Sequence, residues 1–323
     1  MISLRGVSKS YRSLMGRTVL AVDDVTLDVA PGEVVGIAGP NGAGKTTIIA
    51  MLLGFLNPTS GSITIAGQHP RRYVERNGIA YLPELMALTK TWHVDHALRR
   101  LATLSGVPGP QVEAEVDRVI ARLEIGDQRK KRIKTLSKGN FQRLGLAQSI
   151  LRDFDVVVFD EPTHGLDPVW TQRFRSVVAE MRRPDRAIVI ASHNLDELDR
   201  VADRVAIVDR GRLQRVVTIG TPGDGTARVY LVRVAGDPAA VLTAFPGATV
   251  LSSGEVMLPP LGVNALNAGL AVALATGAQV TGLAPRESAL EAEFHAAVAG
   301  TLAASAAGPS GFPDTNRNPG AAT

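Results

Sequence analysis

The chain has 323 residues, enough for one large domain or two moderate ones. Hydrophobic residues make up 45%, which is ample for a core, and the net charge of +4 permits but does not require an anionic partner. The absence of cysteine excludes a disulfide framework, a thiolate zinc site and a cysteine nucleophile. No apolar segment follows Met1–Arg5, and no uncharged apolar run reaches about 18 residues, so we expect neither a signal peptide nor a membrane span.

The first predicted elements are strands over residues 2–29, which alternate around a loop at 13–17. Pro31–Gly32 turns the chain into a short apolar strand at 33–38, and an apolar helix is predicted over 47–53. The connection between that strand and that helix is rich in glycine. The pattern therefore predicts a strand–loop–helix unit near the start of the chain.

The connecting loop, Gly39–Thr46, fits the G-x-x-x-x-G-K-[ST] pattern of a phosphate-binding loop. Its glycines let backbone N–H groups approach phosphate oxygens, and the dipole of the next helix favours negative charge. We expect Lys45 to reach the β- and γ-phosphates and the Thr46 hydroxyl to bind Mg²⁺. The loop predicts a bound nucleotide.

The middle of the chain alternates strands and helices, which indicates a parallel α/β core. Pro108–Gly109–Pro110 separates two predicted helices within 93–126. Three continuous apolar runs are typical of parallel strands buried on both faces. The predicted strands are at 61–67, 79–83, 156–159, 187–191 and 204–208.

Two carboxylates, Asp160 and Glu161, end the buried strand at 156–159. The carboxyl ends of parallel strands face the crevice where α/β folds bind ligands. We expect Asp160 to hold Mg²⁺ through water and Glu161 to act as the general base that polarises the attacking water.

Further motifs follow in a fixed order. Leu136–Arg143 is similar to the LSGGQ signature, Glu161–Pro168 runs from a Walker B end into a D-loop, and Ser192–Asn194 contains a switch-type histidine. Over residues 2 to about 220 the chain resembles the ATP-binding subunits of ABC transporters. The resemblance implies a P-loop NTPase core with a parallel sheet, an N-terminal antiparallel β subdomain and a helical subdomain at about 90–150.

The resemblance also implies the site. Catalysis would use Lys45, Glu161 and His193, and Mg²⁺ would be held by Thr46, Glu84 and Asp160. In the family, the signature of one subunit meets ATP held by the P-loop of another, which implies a homodimer around two ATP molecules. ATP would contact Tyr11, Gly39, Pro40, Asn41, Gly42, Ala43, Gly44, Lys45, Thr46, Thr47, Ser137, Gly139 and Asp167.

Three residues depart from the family pattern. Glu84 stands where most members have the Q-loop glutamine, and its charge would change how the site senses the γ-phosphate. In the signature, Lys138 replaces glycine and Asn140 replaces glutamine, while Ser137 and Gly139 are kept. Lys138 would add positive charge beside the phosphate.

The C-terminal third predicts a small α+β domain at 226–300, after a linker at 221–226 and before a disordered tail at 303–323. Leu266, Leu270, Val272 and Leu274 are expected to form the buried face of its helix at 262–276. The other predicted elements are strands near 227–234, 248–258 and 278–283, and helices near 237–244 and 287–300. The domain is similar to that of ABC-2-type drug or antibiotic exporter ATPases.

The resemblance implies a separate membrane permease as partner, a position at the cytoplasmic face of the membrane, and export of drugs or other amphipathic compounds. An importer ATPase with a C-terminal regulatory domain is one alternative. A soluble ABC ATPase acting on ribosomes or DNA is another, although a single P-loop and the absence of heptads over 54–136 disfavour it. The basic run Arg129–Lys134 lacks aromatic residues and favours a solvated face over nucleic-acid binding. His93 and His96 lack a third ligand, so no metal site is expected there.

Overall fold

The computed structural model describes residues 1–12, 18–219, 229–286, 290–291 and 293–298. The predicted loop at 13–17, the linker at 221–226 and the tail at 303–323 lie outside these residues. The strands are β1 (Ile2–Arg12), β2 (Thr18–Val29), β3 (Val34–Ala38), β4 (Ser60–Ile65), β5 (Ala80–Leu82), β6 (Val156–Asp160), β7 (Ala187–Ser192), β8 (Arg204–Asp209), β9 (Arg212–Thr218), β10 (Tyr230–Val234), β11 (Thr249–Val250), β12 (Val256–Met257) and β13 (Val280–Pro285). The α-helices are α1 (Lys45–Leu52), α2 (Pro70–Asn77), α3 (Val94–Leu104), α4 (Val112–Arg122), α5 (Lys138–Ser149), α6 (Pro168–Met181), α7 (Leu195–Val201), α8 (Ala239–Ala244) and α9 (Val263–Ala275).

A six-stranded sheet in the order β5-β6-β7-β3-β8-β9 forms the core of the first 219 residues. Its strands are parallel except β9, which pairs antiparallel with β8. Successive residues of β6 point to opposite faces, so Val157 and Phe159 pack in one hydrophobic cluster and Val156 and Val158 in another. Because both faces are covered, this strand is apolar throughout.

The two faces of the sheet are covered differently. On one face lies a three-stranded antiparallel sheet of order β2-β1-β4, in which Ile2 pairs with both Val29 and Ile65. The other face is covered by helices, including α3 to α5, whose buried residues include Leu98, Val116 and Leu144. The predicted class is therefore confirmed: a P-loop-type α/β core with an antiparallel β subdomain and a helical segment.

The C-terminal region forms a four-stranded antiparallel sheet, β11-β12-β10-β13, with α8 and α9 packed in its own hydrophobic cluster. One predicted strand at 248–258 is two short strands, because Gly254 turns the chain with a φ of 84°. The predicted face of α9 is partly wrong. Leu266 and Ala273 are buried, whereas Val272 and Leu274 are 53% and 55% exposed. These two residues lie about 100° to either side of Ala273 on the helix.

The chain returns to the first core after this sheet. Residues 290–291 and 293–298 are helical, and Leu290 is fully buried in the cluster that contains the helical face of the central sheet. Phe294 packs against the same cluster, and Glu293 forms an ion pair with Arg215 of β9. The predicted domain 226–300 thus makes contacts with residues 1–219 through its last helix, and its independence stays a prediction.

Within the part of the chain that the structure describes, no helix is both long enough and apolar enough to cross a membrane.

Candidate active site

The P-loop lies between β3 and α1, and its shape requires glycine at two positions. A Cβ on Gly39 would lie 2.3 Å from the carbonyl oxygen of Val208, and one on Gly44 would lie 2.5 Å from that of Ala21. Gly44 also has a φ of 107°, which side chains other than glycine rarely allow. The loop therefore turns its backbone toward the N-terminus of α1, the arrangement that binds phosphate.

Lys45 is buried in this loop and is only 6% exposed. Its Nζ donates to the carbonyl oxygens of Gly39 at 2.7 Å and Pro40 at 3.3 Å. The same atom lies 3.7 Å from Oε1 of Glu161. The ammonium group is thus held by the loop beside the carboxylates at the end of β6.

Asp160 is 1% exposed, and its Oδ1 has no hydrogen-bond partner among the described residues. Burial, together with the nearby charges of Glu84 and Glu161, raises the pKa of Asp160 to about 6. Lys45 and a hydrogen bond from Thr46 oppose this rise in pKa. A buried carboxylate oxygen without a partner is unusual and indicates a site for a cation or a bound water.

Glu161 is 6% exposed, and its carboxylate is oriented by neighbours from β7 and the loop that follows it. Oε1 accepts from the backbone N–H of His193 at 3.1 Å. Oε2 lies 2.8 Å from Nδ1 of His193 and accepts from Oγ of Ser192 at 3.4 Å. Its backbone has a φ of 49°, so Glu161 adopts a left-handed conformation that the surroundings must stabilise.

A cleft of about 290 Å³ joins the P-loop to these carboxylates. Larger clefts lie elsewhere, but this one contains the cation, the carboxylates and the helix N-terminus that phosphate chemistry needs. Glu84 is exposed and lines it, so the structure brings together the predicted metal ligands Thr46, Glu84 and Asp160. The remaining lining residues are Ala21, Asn41, Gly42, Ala43, Gly44, Lys45, Thr47 and Glu161.

The predicted signature residues do not line this cleft. Ser137 caps α5 and accepts from the backbone N–H of Asn140 at 3.3 Å, and Asp167 caps α6 and accepts from that of Trp170 at 2.9 Å. Gly139 packs near the carbonyl oxygen of Gly165. These residues form a second polar surface, in which Ser137 and Lys138 at the N-terminus of α5 are exposed.

Four other predicted residues lie outside the lining of the cleft, and two of them, Gly39 and Pro40, accept hydrogen bonds from Lys45 within the P-loop. Tyr11, near the end of β1, is 40% exposed, and Nζ of Lys9 lies 5.6 Å from its ring centroid. The side chain of His193 is 59% exposed and reaches the site through its contact with Glu161.

Sequence reasoning missed two residues that hold Glu161. One is Ser192, whose position directly before His193 at a strand end was available as a signal. The other is Gln142, 7% exposed on α5, which donates from Nε2 to the carbonyl oxygen of Pro162 at 2.8 Å. Its sequence signal was its place within the signature-like run Leu136–Arg143.

The basic run at 129–134 is partly neutralised. Arg129 pairs with Asp117 at 2.5 Å and with Asp95 at 3.8 Å, while Lys130 and Lys131 are exposed. This arrangement supports the predicted solvated face.

The residues at the cleft fit ATP with Mg²⁺. The glycine-rich cradle leaves room for phosphate, and the orphaned oxygen of Asp160 offers a ligand of the kind that Mg²⁺ prefers. Over the described ranges, no group of three or more histidine, aspartate or glutamate side chains is arranged to hold a metal. The ion would therefore depend on phosphate oxygens in addition to Thr46, Glu84 and Asp160.

Comparison with known proteins agrees with this chemistry. The profile of the ABC transporter family matches residues 22–164. The ABC transporter ATP-binding protein NatA of Bacillus subtilis is 31% identical over 217 residues, covering 66% of this chain and 87% of NatA. YhcH, an ABC transporter ATP-binding protein of the same bacterium, is 32% identical over 214 residues, covering 66% of this chain and 68% of YhcH.

Solved structures share the fold. The ATP-binding subunit of an ABC transporter superposes with a TM-score of 0.61 at 26% identity, covering 68% of this chain and 90% of the subunit. A dimeric ATP-binding cassette in a post-hydrolysis state with ADP and phosphate gives a TM-score of 0.63 at 18% identity, covering 69% of this chain and all of the cassette. With its P-loop, paired carboxylates and signature in place, this chain belongs to the ABC transporter ATP-binding proteins and is an ATPase of that family.

Proposed function

We propose that this chain dimerises around two ATP–Mg²⁺ and uses their hydrolysis to drive a separate membrane permease. The observation that carries the proposal is the separation of two complementary surfaces on one chain. The P-loop cleft contains Lys45 and the carboxylates, whereas Ser137 and Gly139 lie outside its lining. A head-to-tail pair of chains would place each signature on the other chain's nucleotide, and two-fold symmetry would close the assembly.

Each half of the composite site would contribute a distinct group. Lys45 would neutralise charge on the β- and γ-phosphates, and the N-terminus of α5 with Ser137 would add donors from the partner chain. Thr46, Asp160 and Glu84 would hold Mg²⁺, which when bound neutralises charge on the phosphate oxygens. These groups would position the phosphates for attack by water.

Glu161 would take the proton of the attacking water. Its carboxylate is already oriented by His193 and Ser192, and it lies within 3.7 Å of Lys45. Orientation before the reaction is worth more than proximity alone, because a misplaced base loses much of its effect. His193 would donate to the γ-phosphate and keep the water in line.

The experiment compares wild type with Glu161→Gln in ATP and Mg²⁺. The variant should hydrolyse ATP at least about 100-fold more slowly, because the amide is too weak a base to accept the proton, and it should accumulate as an ATP-bound dimer. Light scattering measures the dimer and phosphate release measures turnover. Adding Lys45→Ala should remove both nucleotide binding and the dimer. A Glu161→Gln protein that stays monomeric with ATP would contradict the dimer. ATP hydrolysis by Glu161→Gln at the wild-type rate would contradict the role of Glu161 as the base.

A groove lies between the central sheet and the helical segment. A cleft of about 470 Å³ is lined by α2, β5 and the end of α3, where Leu104 is 82% exposed. Val74, Leu104 and Phe154 give this cleft apolar side chains that the apolar face of an amphipathic helix would contact. We propose that a short amphipathic helix of the permease binds there, which would hold the chain at the cytoplasmic face of the membrane. Co-purification from membranes with the protein encoded by the adjacent reading frame tests this partner.

Export of drugs or other amphipathic compounds is our proposal for the direction of transport. It is supported by the resemblance of residues 226–300 to the C-terminal domain of ABC-2-type exporter ATPases. The alternative is an importer, in which this domain would regulate the ATPase. A six-span membrane protein in the adjacent reading frame favours a transporter over a soluble ABC ATPase, and a neighbouring solute-binding protein favours import.

A further inference from the structure

Gln142 connects α5, the helix that begins at the signature, to the backbone of Glu161 and Pro162. It is 7% exposed, and its Nε2 donates to the carbonyl oxygens of Pro162 at 2.8 Å and Glu161 at 3.4 Å. A buried amide is retained at low cost only where its hydrogen bonds are made. Gln142 does not line the nucleotide cleft, so it acts on the site through Glu161 and Pro162.

The backbone that Gln142 contacts is one that needs support. Glu161 has a φ of 49°, a left-handed conformation that is disfavoured for a residue with a side chain. Its N–H donates to the carbonyl oxygen of Ala191 at 2.9 Å, and its own carbonyl oxygen accepts from His164 at 3.1 Å. Gln142 adds a donor from α5, so the orientation of Glu161 depends on the position of that helix.

The same helix begins at the signature. Ser137 caps α5, and Gln142 follows it by about 7.5 Å along the helix axis. The loop after Glu161 also packs under the signature, because a Cβ on Gly165 would lie 2.6 Å from Cε of Lys138. The signature and the backbone after the catalytic base are therefore packed together within one chain, and a shift of one will move the other.

We propose that Gln142 is a positioning residue that transmits nucleotide capture at Ser137 to Glu161 of the same chain. The inference rests on the proposed function, because Ser137 meets ATP only when a second copy presents its P-loop. Each chain would then hydrolyse its own ATP efficiently only when its signature is occupied. This links the two ATP sites of the dimer through hydrogen bonds to the backbone of Glu161 and Pro162.

Two substitutions test the hydrogen bonds. Gln142→Met keeps the length of the side chain and removes the amide, and Gln142→Glu keeps its shape but offers a carboxylate that cannot donate. Both should lower kcat about tenfold or more, with the KM for ATP changed less than about twofold, because the base is misplaced while the phosphate cradle is intact. In the Glu161→Gln background, Gln142→Met should still form the ATP-bound dimer.

The matched control is Gln148→Met. Gln148 lies on the same helix and donates from Nε2 to the carbonyl oxygen of Tyr81 at 2.7 Å, so its loss removes a comparable bond to β5. The midpoint temperature of thermal unfolding should fall as much in Gln148→Met as in Gln142→Met, while the kcat of Gln148→Met should fall less than about twofold. The positioning role would be overturned if folded Gln142→Met kept a kcat near that of wild type. It would also be overturned if Gln142→Glu turned over ATP at the wild-type rate, or if Gln148→Met lost as much kcat as Gln142→Met.

The two proposals fail in different ways. If Glu161→Gln forms no dimer with ATP, the proposed function is wrong and transmission from Ser137 is wrong with it. In that case the kcat of Gln142→Met still shows whether Gln142 positions Glu161. If the dimer forms but Gln142→Met turns over like wild type, only the inference about Gln142 fails.

Discussion

Asp160→Asn should stabilise the nucleotide-free protein, although it removes a residue of the candidate active site. Asp160 is 1% exposed, and one of its oxygens has no partner, so its charge is costly in the empty site. Burial, followed by the charges of Glu84 and Glu161, raises the pKa of this carboxyl from 3.8 to about 6. Asparagine removes the charge and keeps the shape of the side chain.

The sign and size of the effect follow from this pKa. An acid whose pKa is higher in the folded state binds its proton more tightly there, so the ionised form destabilises the fold above about pH 6. The penalty fades as the pH falls from 6 toward 3.8. The difference between these two pKa values corresponds to about 2–3 kcal/mol at pH 8, and about half of it remains at pH 5.

The assay is urea denaturation in EDTA, without nucleotide, at pH 8 and pH 5. The free energy of unfolding of Asp160→Asn should exceed that of wild type at pH 8, and the gap should narrow at pH 5. Asp117→Asn is the control, because Asp117 is 59% exposed and pairs with Arg129 at the surface, where ion pairs contribute at most about 1 kcal/mol. The reasoning would be refuted if the difference in free energy of unfolding between Asp160→Asn and wild type were equal at both pH values, or if Asp160→Asn were the less stable protein at pH 8.

Glu84→Gln and a truncation test two other assignments. If Glu84 binds Mg²⁺, Glu84→Gln should raise the Mg²⁺ concentration needed for half-maximal nucleotide binding at least about threefold. Titration with a fluorescent ATP analogue measures this concentration. An unchanged Mg²⁺ requirement would show that Glu84 is not a metal ligand. A chain ending at Ile219 should remain folded and bind ATP, but its free energy of unfolding should fall by about 2–3 kcal/mol, because Leu290 is fully buried in the core cluster. Loss of the thermal transition would show that residues 226–300 are not a separable domain.

Several features of the fold and site were accessible from the sequence because each depends on contiguous residues. The P-loop pattern from Gly39 to Thr46 lies between a strand and a helix in the structure, as its local glycine and apolar pattern predicts. The apolar run before Asp160 similarly fixes that carboxylate at the end of a parallel strand. Such features need no knowledge of which distant segments are neighbours.

Other predictions depended on packing and were incomplete or wrong. In α9, both Val272 and Ala273 satisfy a helical apolar pattern, but of the two only Ala273 is buried in the hydrophobic cluster of the C-terminal region. Nothing local distinguishes the two, because the buried side of a helix is set by the element it packs against. Leu290 likewise packs in the hydrophobic cluster of residues 1–219, although the sequence prediction places its helix in the C-terminal domain.

The sequence by itself determined that this chain carries a phosphate-binding loop, a pair of carboxylates at the end of a strand and a signature at the start of a helix. Only the tertiary structure decided how Glu161, the proposed general base, is held. Glu161 is oriented by Ser192 and His193, more than 30 residues further along the chain, and its backbone by Gln142. Those hydrogen bonds form because β6, β7 and α5 pack together, and the order of strands in a sheet is a property of the whole fold.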